Sequence, residues 1–210
     1  MASNLTWGHA SKLKEFLEGA GIDGKILQEA FESGRFGMVT DAIRTVAGVS
    51  EQAFRVWKTI KLGTGLRTAD EFRGALKSHR FQIGDRGNDI LGRPTFTMAT
   101  KETEVDLVVV SVAELGFNYG ASRGNIYQRA QELGLELCPA EVGPQLRLQY
   151  KDQPCGEWLI IGMQPLTGSD GILCVFCVRH QDDGISLYGY GGHATSVWDS
   201  DSRWVFLRRK

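Results

Sequence analysis

The second half of the chain constrains the fold most, because short runs of β-branched and aromatic residues alternate there with glycine- and aspartate-rich turns. Leu146, Leu148 and Tyr150 alternate with Arg147 and Gln149, and Trp158 to Met163 forms the next run. Gly168-Ser169-Asp170-Gly171 predicts a turn before Ile172 to Val178, and Asp182-Asp183-Gly184 predicts another before Ile185 to Tyr190. Trp204-Val205-Phe206-Leu207 closes the series. Turns at these intervals predict an antiparallel meander.

The first half has a different texture. Leu13, Phe16 and Leu17 recur at helical spacing before Gly19-Ala20-Gly21, Asp23 opens a second helix with Ile26, Leu27, Ala30 and Phe31, and Phe36, Val39, Ile43 and Val46 mark a third. Ser50 opens a fourth with Ala53, Phe54 and Trp57. After the break Lys61-Leu62-Gly63-Thr64-Gly65-Leu66-Arg67, the sequence Thr68-Ala69-Asp70-Glu71 matches a capping box and starts a helix carrying Phe72, Ala75 and Leu76. A short helix from Asp85 to Leu91 follows and stops at Gly92 and Pro94. Val105 to Val112 reads as a buried strand, although periodicity alone does not separate it from a helix. Ser122 caps a helix with Ile126, Tyr127, Ala130 and Leu133 inward, ended by Gly134.

The expected fold is therefore α+β: an N-terminal helical bundle, then a mostly antiparallel β-sheet domain with one or two helices. The 210 residues divide into a helical domain at 1–93, with a basic segment at 55–93, and an α+β domain at 94–210 that ends in the meander.

Charge is unevenly placed. Residues 55–93 hold nine Lys/Arg against four Asp/Glu, whereas 1–54 hold five against seven and 94–210 ten against fourteen. Lys58, Lys61, Arg67, Arg73, Lys77, His79, Arg80 and Arg86 surround two short helices that read as a helix-turn-helix, and clustered Lys/Arg supply phosphate contacts. Gly63-Thr64-Gly65 precedes a helix N-terminus, where free amides favour an anion. The full G-x-x-x-x-G-K-[ST] pattern is absent, so this is not a P-loop. Lys61, Arg67, Arg73, Lys77, Arg80 and Arg86 are the candidate nucleic-acid or phosphate contacts, with a solvated helical face as the plainer explanation.

Other motifs carry less. Cys174-Val175-Phe176-Cys177 has metal-ligand spacing, but residues three apart on a strand point to opposite faces, so core packing is the better reading and no metal or cofactor is expected. His193, in a glycine-rich loop, is the candidate acid or base; it needs a carboxylate such as Asp182, Asp199, Asp201 or Glu157 within reach. Asp199-Ser200-Asp201 resembles the opening of a calcium loop without its distal glutamate and reads as a turn. Trp158, Trp198, Trp204, Phe206, Tyr188 and Tyr190 make the sheet aromatic, through core packing or as a binding face.

No basic segment followed by an apolar run opens the chain, and no apolar stretch approaches the ~20 residues that span a bilayer, so membrane insertion is not expected. Four cysteines in this length are too few for a disulfide scaffold and point to a reducing cytoplasm.

Lys58 to Asp70 and Gly134 to Pro144 resemble segments of uncharacterised conserved bacterial proteins, and the likeness runs from about Lys58 to the C-terminus. That group has no known activity to carry over; the resemblance implies a bacterial, cytoplasmic origin.

The leading expectation is a non-enzymatic binding protein whose basic segment contacts an acidic partner, nucleic acid or an acidic protein. The alternatives are a hydrolase or transferase working between the two halves with His193 or Glu141, and a protein-interaction module using the aromatic sheet. Oligomeric state stays open.

Overall fold

The computed structural model describes Lys25 and residues 54–209. The helices expected between Ser11 and Ala53 lie outside the described residues, Lys25 excepted. The chain divides between Ala53 and Phe54, and all the strands of the described residues belong to the second unit.

Over the described residues, the expected helical domain running to residue 93 and followed by an antiparallel sheet is not what forms. The described residues make a mostly β domain: nine strands in one curled, mixed sheet, a separate two-stranded ribbon, and four short helices. In chain order the elements are β1 (Lys58–Leu62), α1 (Ala69–Ser78), β2 (Gln82–Ile83), α2 (Asp85–Leu91), β3 (Thr103–Ser111), β4 (Ala121–Ser122), α3 (Arg123–Glu132) and β5 (Leu135–Glu136). Then come α4 (Val142–Gln149), β6 (Trp158–Ile161), β7 (Leu166–Thr167), β8 (Leu173–Gln181), β9 (Gly184–Gly191), β10 (Val197–Trp198) and β11 (Arg203–Arg208).

The basic segment contributes to the sheet. Phe54 to Trp57, expected to end a helix, is irregular and leads into β1, where buried Ile60 and Leu62 alternate with exposed Thr59 and Lys61. That period of two fits a strand with one face covered, and it outweighs the helical spacing of Ala53, Phe54 and Trp57. The expected helix-turn-helix does not form either, because six residues containing β2 separate α1 from α2. The capping box does form: Thr68 Oγ1 accepts the Glu71 N–H at 3.2 Å and the Glu71 carboxylate accepts the Thr68 N–H at 3.2 Å.

The sheet order is β1-β3-β11-β6-β8-β9-β2, with β5 against β11 and β7 against β8. Both expected turns form: Gly168 to Gly171 joins β7 to β8, which pair at Thr167↔Leu173, and β8 and β9 make the longer hairpin, closing at Gln181↔Gly184 across Asp182-Asp183. β11 does not close a meander. It lies between β3, antiparallel, and β6, parallel. Trp204, Val205 and Phe206 are all fully buried, and a strand buried on both faces is a continuous apolar run, which belongs in mid-sheet. Each such side chain contributes roughly 1.5–3 kcal/mol by burial.

Helices cover both faces. On one, Tyr127 of α3 meets the rings of Trp204 and Phe206 at centroid distances of 5.6 and 6.0 Å. On the other, α4 approaches so closely that a Cβ on Gly143 would lie 2.6 Å from Phe176. The alternating run Leu146, Leu148, Tyr150 is thus helix through Gln149, not strand. Its decisive pattern is Glu141, Gln145, Gln149, a polar stripe at spacing four that faces the edge of β1.

Candidate functional site

The polar stripe accounts for Glu141 first. Its carboxylate is 1% exposed, and it accepts the N–H groups of Gly63 at 2.8 Å and Ala99 at 2.7 Å and the Gln145 Nε2 at 2.9 Å. Gln145 Nε2 also donates to Thr64 Oγ1, and Gln149 pairs with both backbone groups of Lys61. Glu141 therefore anchors a loop rather than facing a cleft. The first amide of Gly63-Thr64-Gly65, that of Gly63, is thus already taken by this internal carboxylate and is not offered to a phosphate. Gly63 itself is held at φ +65°, with the Lys101 carbonyl oxygen in the place that a Cβ would take.

Half of the six candidate contacts, Lys61, Arg73 and Arg86, also have internal partners, as does Arg93. Lys61 pairs with Glu102 at 2.8 Å, and Arg73 pairs with Asp70 at 2.7 Å while donating to Asn88. Arg93 pairs with Asp89, and Arg86 Nη1 lies 3.7 Å from the Cys174 sulfur. Arg67, Lys77 and Arg80 have no carboxylate within ion-pair distance among the described residues. Arg67 precedes α1 whereas Lys77 ends it and Arg80 follows, so about 15 Å of helix separates the first from the other two.

His193 is exposed, and its Nδ1 engages Thr195 Oγ1 at 2.9 Å. Cys174 and Cys177 sit on β8 opposite Gly191 and Tyr188, both are buried, and burial pushes the Cys177 thiol up to about 12. Among the described residues no three His, Cys, Asp or Glu side chains converge on a common point.

What the fold does bring together is an aromatic and acidic cleft. β6 supplies Trp158, β9 supplies Tyr190, and β10 supplies Trp198, around a space of about 680 Å³. The rings form a continuous file. Trp158 and Tyr190 centroids are 5.5 Å apart at 55°, Tyr190 and Trp198 are 5.6 Å apart at 66°, and Trp198 meets buried Trp204 at 4.9 Å. The aromatic sheet thus has two parts: Trp204 and Phe206 are core, whereas Trp158, Tyr188, Tyr190 and Trp198 keep part of their surface.

Trp198 owes its place to the ribbon, in which β10 pairs with β4 just before Ser122 caps α3. The turn that follows is fixed from behind: Ala113 and Val112 donate backbone N–H bonds to Ser200 and Ser202 carbonyls at 2.8 and 3.0 Å. This turn sets Asp199 and Asp201 on the cleft wall, both exposed. Among the described residues neither has a cationic partner. Glu157, also in the lining, is only 12% exposed and is committed, accepting from Tyr150 Oη and Arg203 Nη1 at 2.7 Å each. Burial, reinforced by Glu157, pushes the Tyr150 hydroxyl above its ordinary range. Three carboxylates and one guanidinium leave the lining with a net charge of −2.

Each of these residues is visible in the sequence, but their convergence is not. Nothing in the spacing of Trp158, Tyr190 and Trp198 announces that a two-residue ribbon folds the third ring against the second. No family model matches the chain, and no curated protein and no solved structure matches it. No helix among the described residues is long and apolar enough to cross a membrane.

Proposed function

We propose that this is a binding protein and that its ligand enters the cleft between β6, β9 and β10. One observation carries the reading: three partly exposed rings and two unpaired carboxylates line a single space of about 680 Å³. That volume lies within the range of small-ligand sites, and sites of this kind combine apolar walls with a few fixed polar groups. Core packing alone accounts for Trp204 but leaves the exposed edges of Trp158, Tyr190 and Trp198 without a use. The test is a fragment screen followed by the indole N–H resonances of Trp158 and Trp198. Cationic, neutral and anionic fragments should be compared. Fragments that move these two signals and leave the buried Trp204 signal in place support the reading; a panel in which none of them does so overturns it.

A second reading keeps the basic segment as a contact for an acidic partner, nucleic acid among them. It draws support from Arg67, Lys77 and Arg80, whose charges no described carboxylate neutralises. Phosphate contacts release counterions, so binding to DNA or RNA would fall steeply between about 50 and 200 mM salt. Neutralising Lys77 and Arg80 together should abolish it; retained binding in that variant would exclude this surface.

A further inference from the structure

We infer that the cleft selects an organic cation, an alkylated ammonium group in particular; this rests on the cleft being the ligand site. The argument is charge complementarity. Trp158, Tyr190 and Trp198 line the space; the quadrupole of an aromatic ring attracts a cation, and alkylated ammonium groups are held in this way in aromatic-lined sites. Asp199 and Asp201 add two negative charges that nothing among the described residues neutralises, while the third carboxylate, Glu157, is balanced by Arg203. An anionic ligand would meet a net charge of −2 at this wall.

The same surface already holds one cation by this chemistry. The Arg179 guanidinium lies 5.2 Å from the Trp158 ring centroid and 4.5 Å from that of Tyr188. Its own charge is satisfied by Asp183 at 2.9 Å and its Nε by Ser186. Asp199 and Asp201 have no such internal guest.

Alkylation matters because of the two kinds of wall. A primary ammonium is strongly hydrated and wants three acceptors at hydrogen-bond distance. An ammonium carrying methyl groups keeps the charge, has few or no donors to satisfy, and covers aromatic surface with its alkyl groups. Rings inclined at 55° and 66° to their neighbours present a bent wall, which suits a rounded group better than a flat base.

The experiment compares choline with 3,3-dimethylbutan-1-ol, its uncharged isostere, at low ionic strength on the full chain. The readout is again the Trp158 and Trp198 indole resonances. The expected result is saturable binding of choline at least about tenfold tighter than the alcohol. Asp199→Asn with Asp201→Asn, both exposed and outside the core, should lower choline affinity about tenfold and leave the alcohol unchanged. Equal binding of the two compounds overturns the cation inference while the cleft reading stands. Choline binding untouched by the double asparagine variant overturns it too, since the charge would then come from elsewhere. If only neutral or anionic fragments of the screen move these resonances, the inference falls alone; if none does, the cleft reading falls with it.

Discussion

The side-chain amide of Gln149 makes to Lys61 the two hydrogen bonds that a neighbouring strand would make: Lys61 N–H donates to Oε1 at 2.9 Å, and Nε2 donates to the Lys61 carbonyl at 2.8 Å. β1 is an outermost strand of the sheet, and exposed strand edges recruit other chains. A helix side chain covers this one. Gln149→Ala should cost about 1–3 kcal/mol in urea unfolding, at a contribution of roughly 0.5–1.5 kcal/mol per hydrogen bond. It should also raise self-association in sedimentation velocity. An unchanged midpoint would mean that water replaces the amide without loss.

Glu141 is a harder case, because its carboxylate satisfies three donors inside the protein. Glu141→Ala leaves the Gly63 and Ala99 amides unpaired and should destabilise by about 3 kcal/mol or more. Glu141→Gln, which keeps one acceptor, should lose less. Chemical denaturation of both variants checks the order.

Gly63 and Gly65 separate two causes of glycine dependence. Both have positive φ, +65° and +97°, but a Cβ at Gly63 would strike the Lys101 carbonyl, and at Gly65 it meets nothing within 4 Å. Gly65→Ala should therefore carry only the backbone cost, roughly 1–2 kcal/mol. Gly63→Ala adds the collision and should exceed it clearly. Equal losses in thermal unfolding would contradict the close approach.

Stability should fall as pH rises from 9 towards 12. Burial pushes Cys177 from its ordinary 9.0 up to about 12 and Tyr127 from 10.0 up to about 12, and it moves Cys138 in the same direction. Below pH 9 these groups are neutral in both states and their contribution is complete. Above it the unfolded chain gives up protons that the folded chain retains, which favours unfolding. Burial moves the Arg147 guanidinium in the opposite sense, downwards from its ordinary 12.5, so it does not add to this decline. Between pH 9 and 10 the thiols dominate, and Cys177→Val should flatten the decline of the urea midpoint there. A slope identical to that of the parent protein would refute the assignment.

Of the four cysteines, Cys155 is exposed and Cys138, Cys174 and Cys177 are buried. A thiol reagent should label one equivalent rapidly in the native protein and all four only after denaturation. Cys155 also lines the cleft, so choline should slow its labelling if the cleft is occupied.

Local signals are readable in the sequence where local chemistry decides. Thr68 and Glu71 form their reciprocal cap, Ser122 accepts the Asn125 N–H, and Asp182-Asp183-Gly184 turns the β8–β9 hairpin with Gly184 at φ +114°. The sequence misleads where partners decide. Leu146, Leu148 and Tyr150 fit a strand by alternation, but the segment through Gln149 is helix, and its Gln145 and Gln149 side chains bond the segment 61–64. Lys58 to Ile60 extend the helical spacing that precedes them, but the pairing of Lys58 to Leu62 with Leu107 to Thr103 makes this segment a strand. The cleft is illegible for the same reason: Trp198 reaches Tyr190 only because Val197 and Trp198 pair with Ser122 and Ala121, far away in the chain.

The central position of β11 sets the order of assembly. β1 and β3 can pair without it, and so can β6, β8 and β9, but these two groups share no edge until Trp204 to Phe206 insert between them. Every other strand of the described residues precedes β11 in the chain, so the two groups cannot be joined in one sheet until residues 203–208 are available to pair. Cooperative closure is thus deferred to a single late event, and chaperone dependence should be greatest in the interval just before it.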